Sequence, residues 1–356
     1  MRDLRCLAAG LTLAFGLACA RPVRMVTSPH VSLPCRAPTG DADARLTWTR
    51  PDDPDERRDL DDRCAQVGPP LVLRGALPGG RPVTHLAIVT WNLHDGRGDI
   101  ARLLADLDAG RHGAQRPDAV ILLLQEFVRT TATGAAPAAL ARAGAPDWHL
   151  VYVPARRTTL RGAPPAPADR GTAILSSIPL TDLAAIELPV ERQRRIAVAA
   201  SVNGVTASGR PWRARIINAH LENRPGMGRL WVRAAAARTR QAEALLDAID
   251  LPPAGRDAGH SFVLGGDLNT WLGRYERAWQ LLRDAFPAWQ QEDVRPTLAF
   301  GQRVDHLFAR FPEGTLAVHR RMDGTYGSDH HPVVAAIDFG AHQQDHAAHS
   351  GRLDAR

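Results

Sequence analysis

Phe262-Val263-Leu264-Gly265-Gly266-Asp267-Leu268-Asn269 puts an apolar run, paired glycines and two short polar side chains into one stretch of chain. The apolar part reads as a buried strand over Phe262–Gly266. Paired glycines permit close backbone approach, and strand alternation projects Asp267 and Asn269 to the same side. The arrangement recurs along the chain: Ile88-Val89-Thr90-Trp91 runs into Asn92, Ile121-Leu122-Leu123-Leu124 into Gln125-Glu126, Ile216-Ile217 into Asn218 and His220, and Ser328 precedes Asp329-His330-His331. Taken singly, a polar residue after a strand caps a helix or forms a turn. Repeated at successive strand ends, such residues mark one edge of a sheet where a shared site forms.

The texture of alternating apolar runs and polar loops begins at His85 and continues to Phe339. Further strands are expected over Leu86–Asn92, Ala119–Gln125, His149–Val153, Thr172–Ser176, Ile196–Val202, Ala214–His220, Val304–Phe308 and Val333–Ile337. Helices are expected over Ile100–Leu107, Leu230–Ile249 and Tyr275–Phe286. Strands outnumber helices and the connections are uneven, so an α+β or layered sandwich fits better than a regular βαβ alternation. Residues 82–340 are therefore expected to form the folded domain. Residues 21–81, rich in Pro, Asp and Arg without sustained apolar periodicity, read as an irregular leader, and residues 341–356, with His342, His346 and His349, as a solvated tail. Arg161 to Asp169, with three prolines, reads as a surface loop.

The 356 residues carry 44 basic side chains, all arginine, and a formal net charge of +6. A catalytic lysine is thereby excluded. Arginine suits phosphate ligands through its planar fork, but the missing lysine equally reflects compositional bias, so charge carries little weight in choosing the substrate. Residues 1–20 combine Arg2 and Arg5, an apolar run from Leu7 to Ala18 and a small-residue site at Ala18-Cys19-Ala20, the pattern of an export signal. The expected product is secreted or periplasmic, or lipid-anchored through Cys19. Cys35 and Cys64 are expected to pair in an oxidising compartment.

Taken in order, Trp91-Asn92, Gln125-Glu126, Gly171-Thr172-Ala173-Ile174-Leu175-Ser176, Asn218-Ala219-His220-Leu221, Gly266-Asp267-Leu268-Asn269, Arg303-Val304-Asp305-His306 and Ser328-Asp329-His330-His331-Pro332 resemble the motif series of the endonuclease/exonuclease/phosphatase superfamily. The resemblance implies a four-layered α/β/β/α sandwich of two packed mixed sheets with the active site at one end. It implies a divalent-metal-dependent phosphoesterase acting on phosphodiester, or phosphomonoester, bonds. Glu126 would be the main ligand of Mg²⁺ or Mn²⁺, with Asn92 and Asp329 in support, oxygen ligands being suited to a hard cation. His330 would be the general acid/base oriented by Asp305, Asp267 would position or deprotonate the attacking water, Asn269 would donate to the phosphoryl oxygens, and His220 would bond a non-bridging oxygen. Residue identities alone leave open whether His330 or Asp267 is the base.

Two substrate classes are compatible with these residues, nucleic acid and a phospholipid or sphingomyelin. The former is preferred for an exported, arginine-rich chain, while a lipid substrate requires exposed apolar groups near the site, for which Trp212, Trp231 and the Met227 region are candidates. A catalytically silent binding module would show damage among the ligand or acid/base residues, and none is visible. Arg195, Arg224 and Arg229 are candidate phosphate contacts. Glu191 or Glu222 is a candidate for the further carboxylate that partners the histidine in the deoxyribonuclease branch. His306 is expected to face away from Asp305, and His331 to start a strand.

Overall fold

The computed structural model describes residues 23–28, 33–76, 80–113, 115–130, 145–158, 168–223, 229–249, 251–253, 260–287, 292–312 and 315–340. Its elements in chain order are β1 (Met25–Ser28), β2 (Thr39–Gly40), β3 (Thr47–Pro51), α1 (Pro54–Cys64), β4 (Leu71–Leu73), β5 (His85–Asn92), α2 (Ile100–Asp108), β6 (Ala119–Thr130), β7 (His149–Thr158), β8 (Ala168–Ser176), β9 (Thr181–Glu187), β10 (Ile196–Val205), β11 (Pro211–His220), α3 (Arg229–Ile249), β12 (His260–Asp267), α4 (Arg277–Ala285), β13 (Asp305–Arg310), β14 (Leu316–Arg321) and β15 (Val333–Asp338).

The strands form a seven-stranded sheet, ordered β1-β3-β9-β10-β11-β12-β13, and an eight-stranded sheet, ordered β14-β15-β5-β6-β8-β7-β4-β2. Both are mixed: β11 runs parallel to β12 and β5 to β6, while β12–β13 and β6–β8 are antiparallel. Alternation along each strand sends one set of side chains into the space between the sheets, where Ile88, Ile121 and Val153 meet Val198, Ile216 and Leu307. The opposite face of the eight-stranded sheet buries Val89, Trp91 and Leu122 against Leu103 and Leu107 of α2. That of the seven-stranded sheet buries Ile217, Leu264 and Phe308 against Leu245 of α3 and Leu282 of α4. The result is the four-layered α/β/β/α sandwich.

Gly265 and Gly266 sit where no side chain fits. A Cβ on Gly265 would lie 2.6 Å from Leu123 Cδ1, across the sheet interface, and one on Gly266 would lie 1.9 Å from the Ala219 carbonyl oxygen of the parallel neighbour. The glycines thus let β12 approach both the facing sheet and β11 immediately before Asp267.

Residues 21–81 are not an irregular leader where described. β1 and β3 extend the seven-stranded sheet, β3 pairing in parallel with β9, while β2 and β4 extend the other sheet onto β7. Asp53 caps α1 by accepting from the Asp55 and Glu56 amides, with Pro54 in the first turn. Only Leu60 and Cys64 of this helix are buried, which is why no apolar period shows in its sequence. The Cys35–Cys64 disulfide forms, with the two Cα atoms 5.7 Å apart. Beside it, the buried Arg36 donates to Asp61 and Glu187, each at 2.7 Å, tying the segment to β9 through a buried charge pair.

The proline-rich loop also ends earlier than expected: Ala168 and Asp169 begin β8, and buried Asp169 accepts from Arg129 and Tyr152. Residues 161–167, the export signal with Cys19 and the histidine-containing tail lie outside the described residues. Among the described residues no helix is long and apolar enough to cross a membrane.

Candidate active site

Strand pairing, parallel for β5–β6 and β11–β12 and antiparallel for β12–β13, brings the polar residues together by register. Asn92 on β5 stands opposite Gln125 on β6, His220 on β11 opposite Asp267 on β12, and Asp267 opposite Asp305 on β13. Two buried carboxamides tie the sheets together just beneath: Gln125 Nε2 donates to Asn218 Oδ1 at 2.7 Å, and Asn218 Nδ2 to the carbonyls of Leu124 and Ala173 at 3.1 and 2.7 Å.

His330 Nδ1–H donates to Asp305 Oδ2 at 2.7 Å, and Asp305 is itself held by its own amide bonding Thr297 Oγ1. The backbone of His330 is fixed from both sides, its amide donating to Ser328 Oγ and its carbonyl accepting from Trp91 Nε1. Asp267, Asp305 and His330 bring one ligand atom each to within 4.8 Å of one another. Burial disfavours the imidazolium, but the carboxylates of Asp305, Asp267 and Asp329 outweigh it and raise the His330 pKa to about 10. Burial, and then the charge of Asp305, push Asp267 up to about 7, against the lowering influence of His330, Asn92 and Asn269. Both groups thus hold protons more tightly than usual and differ from each other in proton affinity, and a neighbouring pair of that kind can serve general acid/base chemistry.

Asn92 Nδ2 donates to Asp267 Oδ2 at 2.9 Å, while its oxygen accepts from the His94 amide at 2.9 Å. The Asn269 amide donates to Asp267 Oδ1 at 3.1 Å, and its side chain to the Leu221 carbonyl. His220 Nε2 lies 3.5 Å from Asp267 Oδ2. Its imidazole is held neutral, with a pKa well below the usual range, by burial and by the nearby Arg195 and Arg170.

Glu126 sits at a β-bulge between Leu124 and Phe127, where the register of β6 on β8 shifts, and has φ +53°. A bulge re-aims a side chain, and a left-handed non-glycine residue costs on the order of 1–3 kcal/mol that the surrounding structure must hold. Its Oε2 accepts from Arg170 Nη1 at 2.9 Å and from the Asp95 amide at 3.0 Å. Arg170 also bonds Asp95, and His94 Nδ1 lies 2.9 Å from Asp329 Oδ2. His94, Asp95 and Asn269 share the positive φ of Glu126, so turn formation and site construction are one task here.

A hard divalent cation fits the oxygen donors gathered at this edge. Asp329 Oδ1 is buried without a hydrogen-bond partner, as is Asp305 Oδ1, and buried carboxylate oxygens left open in this way suit a cation. Asp329, 3.7 Å from His330 Nε2, and Glu126 are the better holders. Of the compact trio, His330 already commits Nδ1 to Asp305. Asn92 contributes mainly by bonding Asp267.

Several expectations find their place. His306 is buried away from Asp305, bonding Thr270 Oγ1 and stacking on Phe308. His331 leads into β15, its amide bonding the Thr297 carbonyl. Trp212 is not a surface aromatic: it stacks on Phe339 with ring centroids 4.4 Å apart, under a carbonyl that takes its Nε1–H. Glu191 pairs with Arg240 outside the site, and the partner of His330 is Asp305. Arg224 and Met227 lie outside the described residues, as do the side chains of Arg229 and Trp231. Arg170 was not legible in sequence, since its only local signal is its place before Gly171.

The family model described as the Endonuclease/Exonuclease/phosphatase family matches residues 89–330. No curated protein matches the sequence. Among solved structures, the endonuclease/exonuclease/phosphatase from Beutenbergia cavernae DSM 12333 is 20% identical with a TM-score of 0.51, covering 72% of this chain and 72% of its own. A humanized TDP2 of D. rerio is 20% identical with a TM-score of 0.45, covering 72% and 99%. Beta toxin from Staphylococcus aureus is 14% identical with a TM-score of 0.44, covering 70% and 99%. With residues 89–330, well over half of its length, matched by one family model, the chain belongs to the endonuclease/exonuclease/phosphatase family.

Proposed function

We propose that the chain is a divalent-metal-dependent phosphoesterase that hydrolyses phosphodiester bonds, with nucleic acid as the preferred substrate class. The observation that carries this reading is the His330–Asp305 pair at 2.7 Å with Asp267 beside it. Bound at Glu126 and Asp329, Mg²⁺ or Mn²⁺ would supply Lewis acidity at the phosphoryl group and a more acidic bound water. His330, protonated and oriented by Asp305, donates a proton to the leaving oxygen. Asp267, with its raised proton affinity, accepts from the attacking water, and Asn269 and His220 donate to phosphoryl oxygens as charge builds on them.

A lipid phosphodiester is the second reading, favoured by the apolar groups exposed beside the site. Leu272 and Tyr275, 61% and 74% exposed, lie three and six residues after Asn269, and Phe300, 80% exposed, stands on the loop that bonds Asp305 and bridges His330. Such side chains serve either membrane insertion or base stacking. Export is part of the proposal and is supported by the Cys35–Cys64 disulfide, since such bonds persist in oxidising compartments; fractionation of cells making the full chain tests it.

The test of function is hydrolysis of plasmid DNA, RNA, sphingomyelin, phosphoinositides and bis-p-nitrophenyl phosphate, each with Mg²⁺, Mn²⁺ or EDTA. Cleavage of a nucleic acid only with metal, abolished in Glu126→Gln, is the expected result. Cleavage of sphingomyelin alone selects the second reading. Failure on every substrate with every metal leaves a silent binding module.

A further inference from the structure

Arg194 and Arg195 are neighbours at the start of β10, and the structure treats them differently. Arg194 is fully employed: Nε and Nη2 donate to Glu187 Oε1, and Nη1 donates to the Pro154 carbonyl. Buried Arg238 is likewise bonded, to Glu276 and to the Glu222 carbonyl. Arg195 is equally buried, 5% exposed, yet its Nε and Nη2 find no acceptor. The nearest carboxylate contact, Nη2 to Glu222 Oε1, spans 3.9 Å, beyond hydrogen-bond reach, and that oxygen already accepts from the Asn223 amide.

Arg195 lines a pocket with Glu126, Arg170, Thr172 and His220. Burial works against its charge while Glu222, Asp267 and Glu126 favour it, and it is the main charged influence on His220. A permanently charged fork, buried among the site's own residues with donors unused, calls for an anionic ligand with paired oxygens. A phosphoryl group is such a ligand, and its monoanion has the size and geometry that a guanidinium edge matches.

We infer that Arg195 is a substrate-contacting residue whose guanidinium donates to a non-bridging oxygen of the phosphate ester beside Glu126 and His220. The inference rests on the phosphoesterase reading for its substrate, but the anion contact can be measured without turnover. Lysine at this position keeps the charge and loses the fork, which separates charge from geometry.

Inorganic phosphate is titrated calorimetrically, in EDTA, into the wild-type full chain and into Arg195→Lys and Arg195→Ala. Hydrolysis of bis-p-nitrophenyl phosphate is followed with Mg²⁺, with and without added guanidinium ion at millimolar concentration. Phosphate binding should weaken at least about tenfold in both variants, and kcat/KM should fall by about 10²–10³-fold, the usual loss for one donor to developing phosphoryl or oxyanion charge. Free guanidinium should restore part of the Arg195→Ala rate and leave wild type unchanged. Phosphate affinity and kcat/KM within about twofold of wild type would overturn the inference, as would a rate loss without rescue accompanied by unaltered phosphate affinity in Arg195→Lys. Arg195-dependent phosphate binding by a wild type that cleaves no ester supports the contact and removes the phosphoesterase reading instead.

Discussion

Asn218→Ala should loosen the joint between the two sheets directly beneath the candidate active site. Asn218 belongs to the seven-stranded sheet, and all its side-chain partners, Gln125, Leu124 and Ala173, belong to the other. Both carboxamides are completely buried. The substitution deletes three hydrogen bonds, each worth about 1 kcal/mol net and more where a buried carbonyl is left unpaired, and opens a small cavity, so the loss should be about 3–5 kcal/mol. Against a total stability of roughly 5–15 kcal/mol this is a large fraction. Urea unfolding monitored by tryptophan fluorescence measures it directly. Gln125 also donates to Thr90 Oγ1 and the Leu123 carbonyl, so Gln125→Ala is damaging alone. The double variant should nonetheless be less unstable than the sum of the two, by about 1–2 kcal/mol, because one shared bond is then counted once. A loss below about 1 kcal/mol for Asn218→Ala, or strict additivity in the cycle, would refute the idea that this pair locks the sheets.

His330→Ala should lower turnover by about 10²–10⁴-fold, and, by stranding buried Asp305 without its donor, should also lower stability. Adding Asp305→Asn should return stability without turnover, and unfolding curves beside rate measurements on the two variants check this. Cys64→Ser opens the link between residues separated by 29 positions and should cost about 3–4 kcal/mol on the chain-entropy relation, with reductant destabilising wild type but not the variant. Acid should destabilise the fold through its buried neutral histidines. Burial and the nearby Arg303 lower His319 to about 4, and burial with Arg303 holds His306 well below its usual value. The unfolded chain binds these protons near pH 6.5 and the folded chain does not, so the stability these histidines contribute is full above that pH and is lost as pH falls toward 4. His319 alone contributes about 3 kcal/mol of this loss, at about 1.4 kcal/mol per pH unit; Asp267, raised to about 7, takes up its proton over the same window and acts in the opposite direction, so the difference in urea midpoint between wild type and His319→Phe from pH 7.5 to 4.5 isolates the histidine.

The nine strands expected from the sequence all form; most run longer than expected by one to five residues, and β13 begins one residue later, at Asp305. They are central or site-bearing strands, buried on both faces, so their apolar runs are continuous and visible. What escaped was mostly peripheral; the exceptions are β3 and β9, which lie inside the seven-stranded sheet between β1 and β10 but are short, β9 opening on exposed Thr181 and Asp182. β14 is an edge strand with Leu316 and Val318 exposed and Arg320 and Arg321 at its end, and β1, β2 and β4 are four residues or fewer. Short or edge strands bury little, and a strand that buries little leaves little pattern. α1 announced its start in Asp53-Pro54, but with only two buried side chains it carried no period to confirm it.

The sequence by itself determined the kind of chemistry and where along the chain it lies: carboxylates, carboxamides and histidines following apolar runs in a family order, with glycines where strands must approach. Only the tertiary structure decided which side chain serves which. That His330 bonds Asp305, 25 positions away, that Arg170 rather than another arginine meets Glu126, and that Arg194 is spent on Glu187 while its neighbour Arg195 is left open to the site, all depend on strands distant in sequence being packed side by side. Sequence pattern reports burial and direction residue by residue, because those follow from local periodicity. Hydrogen-bond partnership and charge compensation are set by nonlocal distances of a few ångströms, and those exist only once both sheets have closed on each other.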